Sequence, residues 1–156
     1  INPSVVLGPI LGGQMSASIE AVRRLLAGLP ACPDIGFEFV DVRDIVDIFE
    51  RALTRPGIDG ERFIASAAWL KLIDIARIVK DQLGDQAIAV NVRAMPDAVL
   101  EWFATFDPVA MQVVMELGRT RRMDSRHARA SLDWHTRPIE ETIADTARSL
   151  ITEGLL

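Results

Sequence analysis

The chain has 156 residues, 49% hydrophobic and 25% charged, with a formal net charge of -5. This is the composition of a globular protein of single-domain length, which excludes disordered, fibrous and repetitive classes. The acidic balance argues against nucleic acid as a partner, and no window approaches the roughly 18 uninterrupted apolar residues of a membrane helix, so no membrane partner is expected.

Ile1 to Leu7 is a short apolar, β-branched run closed by Gly8-Pro9, the pattern of a buried parallel strand. From Ser16 or Ser18, each able to cap a helix, Ile19, Val22, Leu25, Leu26 and Leu29 recur at helical spacing, with Gly28 and Pro30 as the stop. After a loop to Gly36, Phe37 to Val40 reads as a strand running directly into Asp41 and Asp44, an acidic pair suited to the positive end of a helix. That helix is expected to turn Ile45, Val46, Phe49, Ala52 and Leu53 inward, and Pro56-Gly57 ends it.

Arg62 to Ser66 predicts another strand, Leu72, Ala76, Val79 and Leu83 a third helix closed by Gly84, and Ala87 to Val92 a further strand. Beyond it the pattern is helical. Pro96 opens a helix with Val99, Leu100 and Phe103 inward, and Asp107-Pro108 opens another with Met111, Val114 and Met115 inward and Gly118 as its stop. His127 to Leu132 predicts a short helix, and Pro138 to Glu153 a last one with Ile139, Ile143, Ala147, Leu150 and Ile151 inside. Strands alternating with helices, then helices alone, predict an α/β class with a helical end.

Residues for independent catalysis are not legible: there is no nucleophile with its base, no carboxylate pair, no metal cluster and no phosphate-cradling loop. The doublet Gly12-Gly13 does not extend into a dinucleotide or P-loop fingerprint. His127 and His135, with no third ligand nearby, read as surface or capping residues. Arg119, Arg121, Arg122, Arg126 and Arg129 are interleaved with Glu116, Asp124 and Asp133, the pattern of a solvated, ion-paired connection more than of an anion pocket. Met15, Met95 and Met111, with Met115, Met123, Trp102, Phe103 and Phe106, are candidates for the apolar wall of a substrate site, or for core. Cys32 is the single cysteine and can close no internal disulfide, and no signal peptide opens the chain, which together predict a cytoplasmic protein.

Four segments carry a resemblance. They are Asn2-Pro3-Ser4-Val5-Val6-Leu7-Gly8-Pro9, Phe39-Val40-Asp41-Val42-Arg43-Asp44-Ile45, Gly60-Glu61-Arg62-Phe63-Ile64-Ala65-Ser66, and the stretch from Arg129-Ala130-Ser131-Leu132-Asp133-Trp134 through Arg137-Pro138 to Ile143. In this order, covering nearly the whole chain, they resemble the extended short-chain dehydrogenase/reductases of the NAD-dependent epimerase/dehydratase family, in the dihydroflavonol-reductase-like branch. Asp133 stands where that family usually has glycine.

The resemblance implies a fold class: the carboxy-terminal portion of an extended Rossmann-type reductase, meaning its last sheet strands and a small, mainly helical substrate-binding domain. Residues 1–156 would form that region, and the dinucleotide-binding half would lie outside it. The family's Tyr-x-x-x-Lys has no counterpart, because the chain contains no tyrosine. NADP or NAD is therefore expected in the full-length parent and not on this chain alone. Pro3, Ser4 and Val5 match the strand end bordering the nicotinamide and its ribose, and Ser18 a serine that reaches the cofactor's phosphates. Glu38 stands where dihydroflavonol reductases place a glutamine that binds substrate hydroxyls, which points to a polar partner other than a flavonoid.

Taken as residues alone, Ser18 reads equally as a helix cap and Glu38 as an exposed strand residue. The implied function is the substrate-binding part of a carbonyl reductase, inactive alone. A nucleotide-sugar epimerase/dehydratase, or a non-catalytic binding module of the same descent, are the alternatives. The expected partners are a small-molecule substrate and, given a mean hydropathy of +0.21, the missing amino-terminal half or a second copy to cover apolar surface.

Overall fold

The strand read over Ile1 to Leu7 is divided at Ser4 in the computed structural model, which describes residues 1–10, 12 and 15–156. Gly13 of the glycine doublet lies outside the described residues. β1 (Asn2–Pro3) pairs in parallel with β4 (Ile64–Ala65), whereas β2 (Val5–Leu7) pairs in parallel with β3 (Gly36–Asp41). Between β2 and β3 runs α1 (Ala17–Leu26), capped by Ser16 and not Ser18, with the Ser16 hydroxyl accepting from the Ile19 N–H.

A strand the sequence did not announce, β5 (Ala68–Lys71), lies antiparallel to β3 and sets Phe37 against Leu70 and Glu38 against Trp69. It runs straight into α3 (Leu72–Leu83), so its apolar residues merge with the helical pattern behind them. The strand expected over residues 87–92 is absent: a single 3-10 turn, Gly84–Ala87, is followed by turn and coil. Its apolar run reports burial without pairing. Ala87 and Val90 fill the core, and the Lys80 ammonium satisfies the Val90 carbonyl at 2.9 Å.

The sheet is covered on both faces, as the near-continuous apolar wording of its strands requires. Leu7 and Phe39 join Val22, Leu25, Ile75, Val79, Ile143 and Leu150 in a core built from α1, α3 and α7 (Ile139–Thr152). Their neighbours in the strands, Val6 and Val40, belong to a second cluster with Ile48 of α2 (Val42–Thr54), Ala128 and Leu132 of α6 (Arg126–Leu132), and the fully buried Trp134.

Two helices present faces other than those expected. In α2 Ile45 and Ala52 pack against the second cluster as expected, around the buried Asp44 and Ile48, while Val46, Phe49 and Leu53 point outward. The cause is polar: Asp44 is drawn in to meet Arg137 and Trp134, and this rotates the stripe away from the sheet. α4 (Asp97–Ala104) and α5 (Pro108–Val114) pack chiefly on each other, so Leu100 and Ala110 are buried while Val99, Phe103, Met111 and Met115, expected inward, are exposed. Among the described residues no helix is long and apolar enough to cross a membrane.

Candidate functional site

At the carboxyl end of β2 the chain opens a groove of about 340 Å³ lined by Leu7, Gly8 and Pro9, by Ser16 and Ser18 at the start of α1, and by Val42 at the start of α2. Gly8 makes this turn possible. Its φ is +132, and a Cβ there would lie 2.8 Å from Val42 Cγ1 and 3.2 Å from Asp41 Oδ1. The loop is tied down from below, the Gly8 N–H donating to Thr146 Oγ1 at 2.8 Å and the Ile10 N–H to Ser149 Oγ at 3.1 Å.

Ser18 sits in the first turn of α1, where unpaired N–H groups and the helix dipole favour an anion. Its hydroxyl donates to the Val6 carbonyl at 2.8 Å and lies 2.9 Å from Ser16 Oγ. The start of α2 is already occupied by a carboxylate: Asp41 Oδ1 accepts from the Arg43 N–H at 2.8 Å, and both its oxygens meet the Arg43 guanidinium. Burial pushes the Asp41 carboxyl up, but the Arg43 contacts, with Arg137 nearby, outweigh burial and hold it below the usual carboxylate value. The same pairing pushes the Arg43 guanidinium up.

Of the strand residues expected beside a nicotinamide, Pro3 is exposed and pairs with Ala65, and Val5 pairs with Phe39 and packs toward the first core. Ser4, between the two ladders, is buried at 8% exposure, and its hydroxyl has no hydrogen-bond partner among the described residues. A buried hydroxyl left without a partner costs about 1–3 kcal/mol unless something meets it.

Glu38 is a buried residue, not the exposed strand residue its alternation allows. Its Oε2 accepts from Ser66 Oγ at 2.7 Å, and its Oε1 from the Met123 N–H at 3.2 Å. Beside it, the Trp69 ring packs so close to Gly36 that a Cβ there would run into Trp69 Cζ2, and the indole Nε1 is buried without a partner among the described residues. Arg122 stacks its guanidinium 4.6 Å above that ring.

The arginine-rich segment divides in two. Arg119 and Arg121 reach Glu116, and Arg126 holds Asp124, whose carboxyl is lowered to about 2 by that pairing. Arg122 and Arg129 have no acidic partner among the described residues. Arg129 instead reaches the Ser66 carbonyl at 3.4 Å and Ser125 Oγ at 3.2 Å.

The methionine candidates are dispersed. Met15 precedes α1 and is exposed, Met95 is half-buried in the turn before α4, and Met111 is exposed on α5. Sequence reasoning passed over Ser66 and Trp69, which share the Glu38 cluster. It also gave His127 no role, whereas the ring stacks on Phe63 and bonds Glu61 at 2.8 Å. Asp133 has a left-handed backbone, φ 49, which accounts for the departure from glycine, since the position demands a conformation that Asp tolerates.

Solved structures share this fold. The methylglyoxal/isovaleraldehyde reductase Gre2 of yeast, complexed with NADPH, is 22% identical over 98% of this chain and 46% of its own, with a TM-score of 0.71. A nucleoside-diphosphate-sugar epimerase from Pseudomonas aeruginosa is 21% identical over 97% of this chain and 47% of its own, with a TM-score of 0.73. The enzyme WbmG of Bordetella bronchiseptica, in complex with NAD and UDP, is 15% identical over 98% of this chain and 43% of its own, with a TM-score of 0.66. The chain has, in part, the Rossmann-type α/β fold of these structures. It spans less than half the length of each of these structures. No protein-family model and no curated protein matches its sequence.

Proposed function

We propose that this chain is the substrate-binding part of an NAD(P)-dependent oxidoreductase that reduces a carbonyl, in the manner of the dihydroflavonol-reductase-like branch, and that it is inactive without a dinucleotide-binding half. The observation that carries this reading is the groove at the carboxyl end of β2, with Gly8 keeping its floor clear and the Ser18 hydroxyl at a helix N-terminus. When bound, the nicotinamide supplies a hydride to the substrate carbonyl.

The residues present fit that group. Ser18, now donating to Val6, would turn its proton to a phosphate oxygen, and the Ser4 hydroxyl, without a partner among the described residues, would gain one on the dinucleotide. Pro3 and Val5 set the backbone on either side of Ser4, and Glu38 orients the substrate by accepting from its hydroxyl. The acid that protonates the product oxygen is supplied by the other half.

The experiment is to read the coding sequence upstream of Ile1 and express the longer protein. A Gly-x-x-Gly-x-x-Gly turn, a Tyr-x-x-x-Lys and NADPH or NADH binding by that protein are expected, with binding weakened by Ser18→Ala. A start codon directly before Ile1, or a longer protein that ignores both dinucleotides, refutes the reading. A nucleotide-sugar epimerase/dehydratase would share the groove, and the carboxylate at Glu38 suits sugar hydroxyls equally well. Turnover of a nucleotide sugar against a simple ketone separates the two.

A further inference from the structure

The loop from Arg119 to Ser125 has no helix or strand of its own and is largely exposed, yet it lies across the Glu38 cluster. Its other polar contacts stay local: Arg119 and Arg121 turn back to Glu116, and Arg126 turns back to Asp124. Among the described residues two contacts fasten the body of the loop to the sheet. One is the Met123 N–H on Glu38 Oε1 at 3.2 Å, and the other is the Arg122 guanidinium over Trp69. Beneath the loop lie a carboxylate at 7% exposure and an indole N–H with no partner among the described residues. The other carboxylate oxygen is held more tightly, by the buried Ser66 hydroxyl at 2.7 Å.

We propose that residues 119–125 form a strap over a polar subsite made by Glu38, Ser66 and Trp69, and that a hydrogen-bond donor of the ligand replaces the Met123 N–H on Glu38 Oε1. The ligand class is a molecule with a hydroxyl or amino group. Ser66 keeps its bond and holds the carboxylate in place while the other oxygen changes partner. The exchange conserves hydrogen bonds at the buried carboxylate, so the strap lifts without leaving Glu38 unsatisfied. The freed Met123 N–H is solvated, because Met123 is itself exposed. The Trp69 indole N–H then supplies a donor for an acceptor atom of the same ligand. As a device for admitting substrate, this rests on the reductase reading.

The test is a nuclear magnetic resonance titration of the whole chain, followed at the Met123 amide and the Trp69 indole. Ethylene glycol is the probe, and its dimethyl ether, which lacks a donor, is the control. Ethylene glycol should carry the Met123 resonance toward its position in Glu38→Ala while the ether leaves it in place. A resonance that ignores both compounds, or follows both equally, overturns the proposal. Should Glu38→Ala not fold, Arg122→Ala loosens the strap from outside. Met123 amide exchange should then rise by roughly two- to fivefold, about the worth of one exposed cation–π contact, and unchanged exchange again overturns it. The titration involves no dinucleotide, so it can fail while the reductase reading stands, and the reverse.

Discussion

The Asp44 carboxylate accepts two hydrogen bonds from Arg137, from its main-chain N–H at 3.1 Å and from its Nε at 2.9 Å. The Asp44 carbonyl meanwhile accepts from the indole of the fully buried Trp134 at 2.9 Å. One residue of α2 thus ties down Trp134 and Arg137 in the connection between α6 and α7, from a position at 4% exposure, while Arg51 of the same helix donates to the Asp133 carbonyl at 2.6 Å. Asp44→Ala removes the carboxylate and leaves the Arg137 guanidinium only its longer contacts to Asp41 at 3.7 Å and Glu141 at 3.8 Å, which should cost about 1–3 kcal/mol. Urea denaturation measures this, and a loss under about 0.5 kcal/mol, the scale of an ordinary surface change, would show that Arg137 finds water instead.

Gly36 and Trp69 are matched in the same sense, by volume. A methyl at residue 36 runs into Trp69 Cζ2, in a ring that Arg122 stacks on. Gly36→Ala should therefore cost about 1–3 kcal/mol through overpacking. In a Trp69→Ala background the same change should cost less than about 0.5 kcal/mol, because the obstacle is gone. Equal costs in the two backgrounds would place the strain in the backbone and not in the ring.

Features carried by local pattern were legible in the sequence. The apolar spacing of Ile19, Val22, Leu25 and Leu26, and that of Ile143, Ala147 and Leu150, marks α1 and α7 because each helix buries one stripe. Features that depend on a distant partner were not. The rotation of α2 is decided by Arg137 and Trp134, far along the chain, and the apolar Val46, Phe49 and Leu53 misdirect any local reading. Glu38 gave its position by resemblance, but its burial depends on Ser66 and on a main-chain N–H at Met123, which no side-chain pattern encodes. The run at 87–92 was misread because buried coil and buried strand share one composition.

Asp41 gives the fold a definite acid sensitivity. Its carboxyl is held below the ordinary 3.8, so the folded chain binds this proton more weakly than the unfolded one. The stabilisation is present above the unfolded value and is lost as pH falls through the folded one. Stability followed from neutral pH downward should decline below about pH 4, and the decline should be shallower in Asp41→Asn. That variant should itself cost about 1.5–3 kcal/mol at neutral pH, since the Arg43 bonds lose their charged acceptor. Parallel acid profiles for the two proteins would remove Asp41 from the account.

The outward stripe of α2 makes the last prediction. Val46, Phe49 and Leu53 are 54%, 47% and 84% exposed and follow one another along a single helical face. A contiguous apolar face of this kind associates with whatever apolar surface it meets. In the isolated chain that surface is a second copy, so sedimentation velocity should show concentration-dependent dimers or larger species. Phe49→Lys with Leu53→Lys should shift the population to monomer while changing stability by no more than about 0.5 kcal/mol, because neither side chain is in the core. If the chain belongs to a longer protein of the proposed kind whose dinucleotide-binding half covers α2, the same double change would there lower the unfolding midpoint. Wild-type chain that stays strictly monomeric at high concentration would refute this reading of the stripe.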